Sequence, residues 1–160
     1  MNVKIDINLT TQTLQVHKGA DVIGEYSVST SKNGAGEELD SECTPRGKHV
    51  IVEKIGHGCD MNTVFVGRVP TGEKYTTDLR SEQPGRDWII TRILRLQGTE
   101  PGINKGGSVD TFERYVYIHG APDDVPMGIP GSHGCIRMRN KDVIELFELS
   151  REGTEVLIHE

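Results

Sequence analysis

Val3-Lys4-Ile5-Asp6-Ile7-Asn8-Leu9 alternates apolar and polar side chains without a break. Successive side chains on an extended backbone point to opposite faces, so this run predicts a half-buried β-strand. The same reading extends outward. Residues 14–17 and 22–30 predict two further strands, with turns at Thr10-Thr11-Gln12 and Lys18-Gly19-Ala20-Asp21, which together make a β-meander. Residues 31–41 are Gly-rich and polar and read as a loop. Thr44-Pro45-Arg46-Gly47 is a turn, because Pro presets φ and Gly opens unusual backbone angles. Strands are predicted over 48–55, 64–69, 88–96, 114–119 and 156–158, separated by a polar stretch (71–86) and a Gly-rich loop (99–110). Only one segment carries helical spacing: Val143, Ile144, Leu146 and Phe147, with Asn140 as N-cap and Gly153 as C-cap. The expected class is mainly β with one short helix near the C-terminus.

The 160 residues fit a single domain, 1–160, long enough to bury a core without a disulfide or metal staple. A net charge of −6 would repel a phosphate backbone, and no basic run offsets it, so nucleic acid is not an expected partner. No apolar stretch approaches a bilayer's thickness, so no membrane partner is expected either. The first residues, Met1-Asn2-Val3-Lys4-Ile5-Asp6, lack the pattern of a signal peptide. The expected location is therefore cytoplasmic, or periplasmic if a leader has been removed. Three widely spaced cysteines, Cys43, Cys59 and Cys135, do not read as a disulfide framework; they fit a reducing compartment, or one reactive thiol with two spectators.

The chemistry concentrates in residues 117–138. His119-Gly120 closes a predicted strand. A loop over 120–131 follows, stiffened by Pro122, Pro126 and Pro130, and then comes Ser132-His133-Gly134-Cys135-Ile136-Arg137. A loop this long in a compact domain is usually functional. A thiolate attacks carbonyls, and a nearby imidazole can take the thiol proton and hold a thiolate–imidazolium pair. His133 and His119 are the candidate bases. Gly134 would let backbone N–H groups converge as an oxyanion hole. On residue types alone a buried structural thiol competes with this reading, because His57-Gly58-Cys59 repeats the triplet with no such loop around it.

Taken together, Tyr117-Ile118-His119-Gly120, Gly128-Ile129-Pro130 and Ser132-His133-Gly134-Cys135-Ile136-Arg137-Met138 resemble the YkuD-type L,D-transpeptidase catalytic domain. The likeness continues through Ser29-Thr30-Ser31-Lys32-Asn33-Gly34, Thr44-Pro45-Arg46-Gly47, Val109-Asp110-Thr111 before Arg114-Tyr115, Asp142-Val143-Ile144-Glu145-Leu146-Phe147 and Gly153-Thr154-Glu155-Val156, roughly residues 2–159. The resemblance implies a β-sandwich of mixed sheets. It makes Cys135 the nucleophile, His119 the base and the Gly120 carbonyl the group that orients it. His133, Gly134 and Cys135 would supply oxyanion-hole amides. Ser132 and Arg137 would contact substrate, Arg137 through a carboxylate, unless it forms a local salt bridge. Two departures stand out: the loop before Ser132 is short for the family, and Arg137 occupies a position often held by Asn.

The reaction implied is attack on a peptidoglycan stem peptide, with loss of terminal D-Ala and an acyl-thioester on the cysteine. Water as acceptor gives an L,D-carboxypeptidase, and an amine from a second stem gives a 3→3 cross-link. The missing export signal favours the carboxypeptidase acting on free muropeptides during cell-wall recycling. No cofactor and no metal is expected. A non-catalytic stem-peptide-binding module and a zinc site built from His119, His133 and Cys135 are the competing classes.

Overall fold

The computed structural model describes residues 2–160. The opening alternation forms strand β1, Lys4–Asn8, with Ile5 and Ile7 buried on one face. Burying such a side chain is worth roughly 1.5–3 kcal/mol, which locks the register. β2 (Thr13–Lys18) and β3 (Asp21–Ser29) complete the meander, antiparallel throughout. The later strands are β4 (Gly47–Ile55), β5 (Thr63–Val66), β6 (Val69–Lys74), β7 (Ile89–Gly98), β8 (Tyr117–Ala121), β9 (Ile136–Arg139) and β10 (Glu155–His159).

The class is mainly β and the pairing is mixed, as expected. The strands join in one barrel-like sheet, running β4-β10-β1-β2-β3-β9-β8-β7, and β7 pairs back onto β4. β1 with β10 and β8 with β9 are parallel. β5 and β6 extend from the start of β7. Ile5, Leu14, Val28, Leu94, Ile118, Ile136 and Met138 fill the main core. Helix α2, Asn140–Leu149, lays Val143, Leu146 and Phe147 into the same cluster.

Several boundaries differ from the sequence reading. Residues 64–69 are not one strand: Gly67 and Arg68 adopt positive φ and fold them into the β5–β6 hairpin. The polar stretch contains a short helix, α1 (Thr77–Glu82), whose N-cap Thr76 accepts from the Leu79 amide. The strand expected from residue 114 begins at Tyr117, and β9 was not anticipated. The loop over 120–131 is tied down, since Gly128 donates to the Val28 carbonyl and Gly131 and Ser132 both donate to that of Thr30. Asn140 is not an N-cap: Arg139 holds that position without a side-chain cap. Helix α2 ends at Leu149 with Ser150 as its cap, and Gly153 serves the following turn at φ +91°.

The buried Asn140 side chain instead ties three segments together. It accepts from the Thr91 hydroxyl and donates to Asn62 Oδ1 (3.1 Å) and Asp123 Oδ1 (3.1 Å). Thr91 lies in a bulge of β7 with φ +76°, a costly angle for a β-branched residue.

Candidate active site

Parallel pairing of β8 with β9 sets His119 beside Arg137 and Ile118 beside Ile136. The alternation of side chains then separates chemistry from core. Ile118, Ile136 and Met138 point inward, while Tyr117, His119, Cys135 and Arg137 line a cavity of about 340 Å³ on the other face. Cys135 is one diagonal step from His119. With strands about 4.8 Å apart and two residues advancing about 6.6 Å, their backbones lie roughly 8 Å apart, a gap two converging side chains can span.

The His119 ring is buried, and its Nδ1 lies 2.7 Å from the Gly120 carbonyl oxygen. A carbonyl only accepts, so Nδ1 carries the proton and Nε2 is left as a base. Gly120 is obligatory for close packing. A Cβ there would sit 2.5 Å from the Ile90 carbonyl oxygen and 2.8 Å from Asn140 Oδ1. The β7 bulge and the start of α2 thus press on the peptide that orients the imidazole.

The Cys135 thiol accepts the Tyr117 amide (3.3 Å) and donates toward the Tyr115 carbonyl (3.6 Å), and it makes no hydrogen bond to His119. Burial pushes the thiol pKa up to about 12, and the Asp87 carboxylate adds to the rise; the Tyr117 amide, Arg114 and Arg137 pull it down. Burial drives the His119 pKa below the ordinary imidazole value, and Arg137 adds to that; the Gly120 carbonyl and Asp87 oppose it. Both shifts favour neutral forms, so the resting pair is thiol and imidazole, not the thiolate–imidazolium pair that residue types suggest.

The turn that leads into Cys135 corrects two expectations. Ser132 is not turned to substrate: its buried hydroxyl accepts the Gly134 amide (3.2 Å) and donates to the Cys135 carbonyl (2.6 Å). The Gly134 amide is therefore occupied, which leaves those of His133 and Cys135 without an acceptor among the described residues. Gly134 has φ +129°, where a side chain would be strained. Its carbonyl accepts from Thr44 Oγ1 (2.9 Å), and Thr44 Oγ1 accepts the Ser31 amide (3.0 Å). The His133 ring is half exposed, with Nδ1 3.8 Å from Glu42. Arg137 is half-buried and donates to Ser29 Oγ (3.0 Å), but makes no local salt bridge among the described residues. No group of three or more potential metal ligands converges among the described residues.

Sequence reasoning missed several residues around the site. Arg114 donates to the carbonyls of Gly36, Glu37 and Cys43, bracing the segment behind Gly134. Arg68, at the tip of the β5–β6 hairpin, donates to the Tyr117 hydroxyl (2.9 Å) and stacks on Tyr115 at 5.2 Å, roofing the cavity. Asp87 also lines it. Nothing in local spacing marks Arg68 or Asp87, and Arg114 was visible only as part of the family likeness. Thr44 had a signal, since its Thr-Pro-x-Gly turn was part of the family likeness.

The model of the YkuD L,D-transpeptidase catalytic domain matches residues 2–158. The chain belongs to this family. The domain is accordingly that of a cysteine L,D-transpeptidase-type enzyme. Three curated relatives carry L,D-transpeptidase names: YkuD of Bacillus subtilis, 39% identical over 61 residues, covering 35% of this chain and 37% of that protein; YbiS of Escherichia coli, 29% over 114 residues, covering 59% and 37%; and YqjB of Bacillus subtilis, 28% over 152 residues, covering 95% and 68%. The matched stretches thus cover little more than a third of the length of YkuD and of YbiS. Among solved structures, an L,D-transpeptidase from Mycobacterium smegmatis superposes with a TM-score of 0.62 at 19% identity, covering 99% of this chain and 59% of its own. L,D-transpeptidase 3 of Mycobacterium tuberculosis, solved with a faropenem-derived adduct, gives 0.58 at 19% identity, covering 99% and 60%. At these identities the structures share the fold.

Proposed function

We propose that this domain is an L,D-carboxypeptidase that removes the terminal D-Ala from peptidoglycan tetrapeptide stems. The carrying observation is that a cysteine and an imidazole with a free Nε2 share one cavity with two unpaired amides. Rotation of the Cys135 side chain away from the Tyr115 carbonyl brings its proton to His119 Nε2 as Sγ attacks the scissile carbonyl. The amides of His133 and Cys135 steady the tetrahedral oxygen, each worth about 3 kcal/mol in the transition state. The carbon–nitrogen bond breaks, His119 returns the proton to the departing D-Ala amine, and an acyl-thioester remains on Cys135. Water then attacks the thioester with His119 as base, regenerating the thiol and releasing a tripeptide. Neutral resting groups suit this scheme, because no charge is buried until the carbonyl is in place.

Three unpaired cysteines fit a reducing compartment, and cytoplasmic trimming of muropeptides during wall recycling is the setting proposed. A second reading, 3→3 cross-linking, draws support from a further lobe of the cavity, about 520 Å³, reached past Asp87, His133 and Arg137 and roomy enough for an amine acceptor. Incubation of a defined tetrapeptide with and without an acceptor stem, read by mass spectrometry, tests both. The expected result is loss of one alanine residue, abolished by Cys135→Ala. Joined dimers without tripeptide would overturn the hydrolytic assignment.

A further inference from the structure

Asp87 and Arg137 both line the wall shared by the two lobes of the cavity. They carry opposite charges, and the Asp87 field is felt at Arg137, yet the two do not pair. Their neighbours do: Arg80 with Asp124 (2.5 Å), and Arg86 with Glu73 (2.7 Å). Among the described residues Asp87 has no counter-charge within 4.0 Å and no side-chain hydrogen bond. Arg137 donates only to Ser29 Oγ, and its buried Nε has no partner. A buried guanidinium N–H without an acceptor is expensive, and a ligand carboxylate is the natural remedy.

The Asp87 backbone is well anchored. Trp88 is buried edge-on against Tyr75 at 5.1 Å, and Arg86 stacks on Trp88 at 4.6 Å while also holding Glu73. An exposed carboxylate on an anchored backbone and a half-buried cation, lining one wall without pairing, suit a ligand carrying both signs.

We propose that Asp87 and Arg137 form a two-ended clamp for a zwitterionic peptide group, with an ammonium at Asp87 and a carboxylate at Arg137. The inference rests on the reaction proposed above. The carboxylate belongs to the leaving residue, and the ammonium is a side-chain amine on the residue whose carbonyl is attacked. Asp87 is thereby a specificity-determining residue that selects stems with a free amine.

The test measures the affinity of Cys135→Ala protein for a tetrapeptide stem whose side-chain amine is either free or acetylated. Acetylation should weaken binding at least tenfold. With Asp87→Asn added, the two peptides should bind within twofold of each other, and Asp87→Glu should restore much of the preference. An acetylation penalty that is the same with and without Asp87→Asn overturns the clamp, as does failure of the free-amine peptide to bind. Failure of the catalytic reading shows separately, as absence of alanine release from the wild type.

Discussion

A single glycine carries much of the site. The Gly120 carbonyl fixes the His119 tautomer, and its missing Cβ admits the Ile90 carbonyl and Asn140. Cys135 is tuned in the opposite sense from a thiol activated at rest. Its pKa of about 12 leaves little thiolate at neutral pH. Mass-mapped labelling with iodoacetamide at pH 7 should therefore modify Cys135 more slowly than a free cysteine peptide, with the rate still climbing above pH 9. Fast labelling at pH 7 would mean a standing thiolate and a different proton inventory. At this scale the sequence exposes the reactive types, because His119 and Cys135 sit in a distinctive local pattern. It hides the use of each amide and hydroxyl, since Ser132 and Gly134 spend theirs inside a turn whose geometry depends on Thr44, 90 residues from Gly134.

At the scale of elements, β4 carries a buried titratable group away from the cavity. His49 is 1% exposed, with Nδ1 at the Gly47 carbonyl (3.0 Å) and Nε2 at the Thr111 hydroxyl (2.9 Å), an arrangement suited to the neutral ring. Burial lowers its pKa from 6.5 to about 4, with the Gly47 carbonyl, Glu100 and Glu37 opposing. Between those values the unfolded chain binds a proton that the native chain refuses, so stability falls as pH drops through that window, by roughly 3 kcal/mol in all. Urea denaturation at pH 7 and pH 4.5 should show this loss, and His49→Gln should shrink it; an unchanged difference would acquit His49. No local pattern marks His49, because its burial depends on Thr111, 62 positions further along the chain. The alternation in β1 and the spacing in α2 were legible because each is a local pattern over one surface. The β5–β6 hairpin was not, because Gly67-Arg68 looks like strand interior until the chain reverses there.

For the molecule as a whole, closure depends on β10 lying between β1 and β4. Its register with β1, Lys4 opposite Glu155 through Asn8 opposite His159, unites segments about 150 residues apart. Removing residues 155–159 would take Val156 and Ile158 from the core and leave β1 and β4 each with an unpaired edge. Such a truncation should abolish the cooperative urea transition and drive the protein into large species on size exclusion. A sharp two-state transition in the truncated protein would show that the ring can close without it. The mainly β class could be read from patterning, but not this circular order, because no local signal records which distant strand becomes a neighbour. The same feature bears on synthesis. A nascent chain paused on the ribosome before residue 155 cannot complete its fold, so this enzyme should commit to its native state only after translation has passed that point, and until then depend on whatever chaperones shield raw strand edges.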